Sequence, residues 1–238
     1  ALDETRKEKL ALFCNIVPEG VISAPDIDSV YDVPGNFEKD KLGERILKKF
    51  KLKSRGKIEK WKEWENFARK VHRTKDTVRI AVVGKYFSAG DFTFADSYVS
   101  VIEAIKYSAY SLGKKPELVW LSASHFEGKN PPLAELVSFD GILVPGGFGT
   151  RGVEGKLNVI RYAREKKIPY FGICYGMQLA IIEYARNVLG FKDASSREID
   201  PSSKKIVIDI MESQKENIKN GKMGGSMRLG SYPAVLKK

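Results

Sequence analysis

The stretch IPYFGICYGMQ, residues 168–178, says more about the fold than any other part of the chain. An apolar run ends in Gly-Ile-Cys-Tyr-Gly and passes directly into helix-forming residues, which is the pattern of a strand, a sharp turn and a helix with a nucleophile at the turn. Glycines on both sides suit a strained turn in which other side chains would collide. A helix N-terminus also favours the thiolate of a cysteine over the thiol. We therefore predict that Cys174 is a nucleophile, with a buried structural cysteine as the alternative.

From residue 77 onward, strand-like runs alternate with helix-like runs. Helices are predicted over 155–166 and directly after Cys174. The predicted strands lie at 78–83, 118–121, 141–144, in the run that leads into Cys174, and at 206–210. This alternation predicts an α/β fold with a parallel sheet flanked by helices. Ligands then bind at the carboxyl ends of the strands, where the glycine-rich residues 146–149 and Cys174 both fall.

The first 75 residues differ in character, because they are highly charged and rich in turn residues. Leu10 to Phe13 form a short strand-like run, and the spacing of the tryptophans and Phe67 predicts a helix over 58–72. The segment is too small and too charged to bury a core of its own. We therefore predict three parts, which are the end of another α/β domain at 1–50, a linker helix at 51–76, and the main domain at 77–238.

Composition narrows the class of protein. The 238 residues carry a net charge of +11, which would admit nucleic acid as a partner. The densest basic stretch, 45–60, is interrupted by apolar residues, so we favour a solvated face or an anionic small-molecule partner over nucleic acid. No apolar run approaches the length of a membrane span, and no signal-peptide pattern is present. The two cysteines, Cys14 and Cys174, form neither a disulfide framework nor a zinc pattern, so we expect a cytoplasmic protein.

Residues 147–152, GFGTRG, match the spaced glycines of a dinucleotide-binding loop. Such a loop belongs to the first strand–helix unit, with an acidic residue at the end of the next strand, whereas here the next strand ends at the cysteine turn. An oxyanion hole is the better interpretation, because glycine-rich backbone can aim N–H groups at a developing negative charge.

Cysteine acyl chemistry also needs a base and a group that orients the base. Of the two histidines, His72 lies in a charged helical segment and is expected at the surface. His125 and Glu127 have the right residue types for both roles, but they follow a strand in a polar loop, and a surface histidine is the alternative. Glu198 is placed to hold the ammonium group of an amino-acid substrate, or it is simply an exposed loop acid.

Several motifs together resemble the CTP synthase family. VPGGFGTRG at 144–152, GICYGMQLAIIEYARNVLG at 172–190 and MGGSMRLG at 223–230 are similar to its class I glutamine amidotransferase domain, which has a flavodoxin-like fold. KLALFCN at 9–15 and VISAPDIDSVYDVPG at 21–35 resemble the end of its synthetase (amidoligase) domain.

The resemblance implies roles for individual residues. Cys174 is the nucleophile that attacks the side-chain amide of glutamine. Lys9 aligns with a UTP-binding lysine, and Ile27 aligns with a position that contacts ATP. The glutamine pocket and its oxyanion hole are formed by Gly146, Gly147, Tyr175, Gly176, Met177, Gln178 and Glu198, with Glu198 facing the amino group of glutamine.

The resemblance also implies a whole reaction, in which ATP and Mg²⁺ phosphorylate UTP in the synthetase domain and ammonia from glutamine displaces the phosphate. The glutaminase domain itself needs no metal or cofactor. GTP activates glutamine hydrolysis, and the enzyme is a homo-tetramer with no nucleic-acid or membrane partner.

Some features depart from the family. Its His-Pro-Glu segment has no counterpart after Gly230, and most of the synthetase domain is absent, so we expect an incomplete chain that hydrolyses glutamine weakly or not at all. Tyr175 stands where leucine is usual, and Arg197 stands where threonine is usual. The alternatives are a free-standing cysteine hydrolase that uses His125 and Glu127, and an amidotransferase-like module without catalysis.

Overall fold

The computed structural model describes residues 2–54, 56, 59–85, 98–147, 149–211, 214–216 and 220. Two compact units are present. The first comprises Ala1–Asp76 with Lys106–Lys115, and the second comprises Thr77–Ile105 with Pro116–Lys238. No helix within these described residues is long and apolar enough to cross a bilayer.

The second unit is built on a four-stranded sheet with the order β2-β1-β3-β4. Its strands are β1 (Thr77–Gly84), β2 (Lys115–Ser122), β3 (Gly141–Val144) and β4 (Tyr170–Gly172). Strand β3 pairs in parallel with β1 on one side and with β4 on the other, with Leu143 opposite both Val82 and Phe171. All four residues of β3 are buried, as expected for a central strand with both faces covered. The predicted parallel sheet flanked by helices is confirmed.

Helices α5 (Val99–Ser111), α6 (Val153–Lys166) and α7 (Tyr175–Asn187) accompany this sheet. The apolar faces of α6 and α7 join the core that also contains Val144. A buried ion pair links the two helices, because Arg164 Nη2 lies 2.8 Å from Glu183 Oε1 while the Glu183 side chain is only 1% exposed. Since Asn187 Nδ2 also donates to Glu183, the buried carboxylate has several partners.

The predicted fifth strand exists but lies outside the main sheet. Strand β6 (Lys205–Ile208) pairs in parallel with β5 (Ala194–Ser196), and the two form a separate sheet. Strand β5 has no strand pattern in the sequence, because its residues, Ala-Ser-Ser, are small rather than β-branched or aromatic. All three are nevertheless buried.

The first unit contains α1 (Glu4–Cys14), α2 (Val33–Lys39), α3 (Leu42–Lys49) and α4 (Glu59–Arg73). The prediction of a strand-like run from Leu10 to Phe13 is wrong, since these residues lie in α1. Asp3 caps this helix by accepting a hydrogen bond from the backbone N–H of Arg6 at 2.8 Å. A four-residue apolar run cannot by itself distinguish a strand from part of a helix.

The predicted linker helix is present as α4, and its aromatic residues form a cluster around Tyr31. The rings of Tyr31 and Phe67 meet edge to face with centroids 5.1 Å apart, and Trp64 Nε1 donates to the carbonyl of Tyr31. Tyr107 and Tyr110 complete the cluster. They come from far along the chain, which explains why the sequence of the first 75 residues showed no core.

The close approach of α6 to the 3₁₀ turn at Ala123–Phe126 requires glycine at position 155. A Cβ atom there would lie 1.8 Å from the carbonyl oxygen of Ala123. We expect Gly155→Ala to lower the free energy of unfolding by about 2–3 kcal/mol, because the backbone must move to relieve the overlap. Urea denaturation followed by circular dichroism measures the change.

Gly43→Ala in α3 is the matched control, because a Cβ atom there meets nothing within 4 Å. It should leave stability unchanged or raise it by up to about 1 kcal/mol through helix propensity. Equal effects of the two substitutions would contradict the close packing of α6.

Candidate active site at the nucleophile turn

Cys174 lies at the turn between β4 and α7, with its thiol exposed and free. Its φ of 51° and ψ of −106° are rare for a residue with a side chain, and strained conformations of this kind cluster at functional sites. The Gly176 backbone N–H donates to the carbonyl of Ile173 at 2.9 Å and closes the turn. The strand, sharp turn and helix therefore lie as the sequence predicts.

Glycine is required on both sides of the turn, because a side chain at either position would overlap backbone atoms. A Cβ atom on Gly172 would lie 2.6 Å from the carbonyl carbon of Gly176, and one on Gly176 would lie 2.1 Å from the carbonyl oxygen of Val144. The helix thus starts in direct backbone contact with the end of β3. Gly176, predicted in the glutamine pocket, here has a clear role in the turn itself.

The glycine loop, defined here as residues 145–147 with Gly149, follows β3 and lies beside the cysteine. A Cβ atom on Gly146 would be 3.5 Å from the Cβ of Cys174, which is the distance of an ordinary van der Waals contact. The end of β3 is tied to the turn at Cys174 because the Ile173 N–H donates to the Val144 carbonyl at 3.0 Å. The structure therefore brings Gly146 next to Cys174, and it brings Gly147 next to the side chains of Tyr175 and Lys156.

Glu198, which follows β5, also reaches this loop. Its Oε1 accepts a hydrogen bond from the Gly149 N–H at 2.6 Å. The Gly149 carbonyl accepts from the Tyr175 hydroxyl at 2.6 Å and from Lys85 Nζ at 3.0 Å. Met177 is exposed and Gln178 is half-buried in the first turn of α7. The predicted pocket residues are therefore neighbours in the fold.

Two lysines near the loop were missed by the sequence reasoning. Lys156 on α6 is 1% exposed, and its Nζ lies 5.4 Å from the ring centroid of Tyr175. Lys85 Nζ lies 5.3 Å from the same ring. A lysine in an amphipathic helix is normally taken for a solvated residue, so only the fold reveals that Lys156 is buried.

Burial governs the protonation of these side chains. Burial, together with a smaller contribution from the Lys85 ammonium, lowers the pKa of Lys156 to about 8. The pKa of Lys85 is also lowered by burial, against the opposing charge of Glu198. Burial and the Glu198 charge raise the pKa of Tyr175 to about 12, so its hydroxyl keeps its proton and donates at neutral pH.

The histidines take other partners. His125 Nε2 lies 3.1 Å from Glu135 Oε2 and the side chain is exposed, which agrees with the alternative of a surface histidine. The 3₁₀ turn at Ala123–Phe126 points the ring toward a carboxylate that is distant in sequence. In the first unit, His72 Nε2 lies 2.8 Å from Asp32 Oδ2. No hydrogen bond joins either histidine to Cys174 in the described part of the chain.

The residues predicted to bind nucleotides lie in the first unit. Lys9 is exposed on α1, and Ile27 lines a cavity of about 490 Å³ with Trp61 and Trp64. The lining of this cavity also carries charged side chains, which are Asp26, Asp28, Asp32, Lys39, Glu65 and Arg69. The described residues hold no group of three or more His, Cys, Asp or Glu side chains arranged for a metal ion. The predicted MGGSMRLG motif at 223–230 lies outside the described residues.

Comparison with known proteins agrees with this arrangement. Residues 93–238 match the family described as glutamine amidotransferase class-I. The chain belongs to this family. Residues 1–52 match a second family, described as CTP synthase N-terminus.

Similar proteins and a similar solved structure are CTP synthases. The chain is 44% identical over 237 residues to CTP synthase from Pyrococcus furiosus, and 45% identical to the enzymes from Pyrococcus abyssi and Bacillus licheniformis. It spans about 42% of the length of each. The acivicin-bound glutaminase domain of Trypanosoma brucei CTP synthase is 40% identical, with a TM-score of 0.54 over 60% of this chain and 53% of that one. The resemblance to CTP synthases is confirmed.

The buried ammonium of Lys156 predicts an unusual pH dependence of stability. Its pKa is lower in the folded chain than the ordinary 10.5, so the unfolded chain binds more protons between about pH 8 and 10.5. Wild-type stability should rise with pH across that window. Lys156→Met removes the charge, so the variant should gain about 3 kcal/mol over the wild type at pH 7, and this gain should shrink toward pH 10.

Urea unfolding of both proteins at pH 7 and pH 10 measures this gain. Lys166→Met is the matched control, because Lys166 is an exposed residue of the same helix. A gain for Lys156→Met that does not change with pH would contradict the burial of a charged ammonium.

Proposed function

We propose that the second unit hydrolyses glutamine to glutamate and ammonia, with Cys174 as the nucleophile. One observation carries the proposal, which is an exposed cysteine on a strained turn with a glycine loop directly beside it. An amidotransferase needs this combination, because the thiolate attacks a carboxamide and the resulting negative oxygen needs backbone donors.

The reaction is expected to proceed in two stages. The Cys174 thiolate forms a bond to the amide carbon of glutamine, and the amide oxygen becomes an oxyanion. We propose that the backbone N–H groups of Gly147 and Tyr175 stabilise it. The C–N bond then breaks with protonation of the leaving nitrogen, which releases ammonia and leaves a thioester. Attack by water on the thioester yields glutamate and restores the thiol.

Glu198 is the proposed partner of the substrate's amino group. One carboxylate oxygen is held by the Gly149 N–H, which fixes its orientation and leaves the second oxygen for an ammonium. Met177 and Gln178 in the first turn of α7 form the adjacent wall. These assignments, with Gly146, Gly147, Tyr175 and Gly176, make up the proposed glutamine site.

The chain is proposed to be part of a CTP synthase that aminates UTP with this ammonia. The match of residues 1–52 to the N-terminal family and the relatives at 44–45% identity support the proposal. ATP and Mg²⁺ would activate UTP, with Lys9 toward UTP and Ile27 toward ATP. The proposal also includes activation by GTP, a homo-tetramer, a cytoplasmic location and the division into 1–50, 51–76 and 77–238.

A glutamine analogue tests the nucleophile directly. We expect acivicin to label Cys174 at least about tenfold faster than Cys14, because Cys174 lies at a helix N-terminus next to the glycine loop, whereas Cys14 ends a helix. Cys14 is also an exposed free thiol, so it serves as an internal control. Peptide mass spectrometry measures both rates, and L-glutamine should protect Cys174. Equal labelling of the two thiols would contradict the assignment.

Assays of CTP formation from glutamine and from ammonia test the glutaminase and the synthetase parts of the proposal separately. In a complete CTP synthase that contains this chain, Cys174→Ser should abolish CTP formation from glutamine while ammonia-dependent formation continues, because the synthetase site needs no thiolate. Formation of CTP is followed by its ultraviolet absorbance. Retention of glutamine-dependent activity would refute Cys174 as the nucleophile.

A further inference from the structure

The side chain directly after the nucleophile contacts the loop that faces the nucleophile. Tyr175 is 2% exposed, and its hydroxyl donates to the Gly149 carbonyl at 2.6 Å. The ring supports the same loop at a second point, because a Cβ atom on Gly147 would lie 4.0 Å from Tyr175 Cδ1. One side chain therefore spans the loop from Gly147 to Gly149.

Both backbone polar groups of Gly149 are hydrogen-bonded to side chains. Its carbonyl accepts from Tyr175 and Lys85, while its N–H donates to Glu198 Oε1. Gly149 has a φ of +73°, so its own backbone preference does not fix it and the side-chain contacts must do so. The three contacting side chains come from the end of β1, the start of α7 and the loop after β5.

Lys156 lies beside the same loop and ring. Its side chain is 1% exposed, and its ammonium makes no hydrogen bond or ion pair within the described residues. The ammonium lies 5.4 Å from the Tyr175 ring centroid and 3.8 Å from the position of a Cβ atom on Gly147. The face of an aromatic ring attracts a nearby cation, so Lys156 and Tyr175 stabilise each other's position.

We propose that Tyr175 is a positioning residue that holds the glycine loop in its reactive arrangement before glutamine binds. The leucine that the family resemblance would place here has no hydroxyl to bind Gly149 and no ring face for Lys156. The proposal rests on glutamine hydrolysis at Cys174. It extends that function, because it gives this chain a device for preorganising the oxyanion donors.

The test separates loop positioning from thiol reactivity. Tyr175→Phe keeps the ring and removes only the hydroxyl. We expect the limiting rate of acivicin labelling at Cys174 to fall about tenfold, less than the loss of a direct oxyanion donor, with the concentration for half-maximal rate unchanged. Alkylation of Cys174 by iodoacetamide, which needs no help from the loop, should keep its wild-type rate relative to Cys14.

Two further measurements test whether slower acivicin labelling comes from the lost hydrogen bond to Gly149 and not from substitution of a tyrosine in this helix. Tyr184→Phe, an exposed tyrosine of the same helix, should label with acivicin at the wild-type rate. Hydrogen exchange of the 146–150 amides should be faster in Tyr175→Phe, because the Gly149 carbonyl has lost one of its two donors.

The outcomes that refute the proposal are distinct. An unchanged limiting rate of acivicin labelling in Tyr175→Phe would overturn the positioning role alone. An equal fall in acivicin and iodoacetamide rates would also overturn it, since that pattern indicates general damage to the turn. A wild-type Cys174 that reacts with iodoacetamide but never with acivicin would overturn the glutaminase proposal, and the positioning role with it.

Discussion

The contact between the start of α7 and the end of β3 is the constraint on which the site depends. No Cβ atom fits at Gly176, because the Val144 carbonyl oxygen lies where that atom would be. This contact holds the helix N-terminus against the central strand and leaves Cys174 in a strained backbone conformation with its thiol exposed. The glycine loop leaves β3 at the same point, so nucleophile and candidate oxyanion donors share one rigid base.

Much of this could be predicted from the sequence, because local backbone rules determine it. The glycines around Cys174, the alternation of strands and helices, and the position of α4 each follow from patterns within a few residues. Contacts between distant residues could not be predicted. The pairing of His125 with Glu135 depends on how a loop turns, and β5 forms from an Ala-Ser-Ser segment with no strand pattern. The burial of Lys156 appears only when α6 packs beside Tyr175.

The two lysines near the glycine loop differ in their surroundings. Lys85 approaches Glu198, whereas Lys156, among the described residues, meets an aromatic ring and no carboxylate. A buried ammonium costs folding free energy, and stability sacrificed near an active site is typical where a fixed charge serves the chemistry. Elsewhere in the same unit, the buried carboxylate of Glu183 is bound by Arg164 and Asn187.

The hydrogen bonds of three side chains to Gly149 have an evolutionary consequence. Lys85, Tyr175 and Glu198 are far apart in sequence, yet each binds a backbone group of this one residue. Residues that share a partner are not energetically independent, so a change at one alters the contribution of the other two. A lineage that exchanges Tyr175 for an aliphatic residue therefore changes the selection on Lys85 and Glu198, and substitutions at the three positions should be correlated among descendants of this chain.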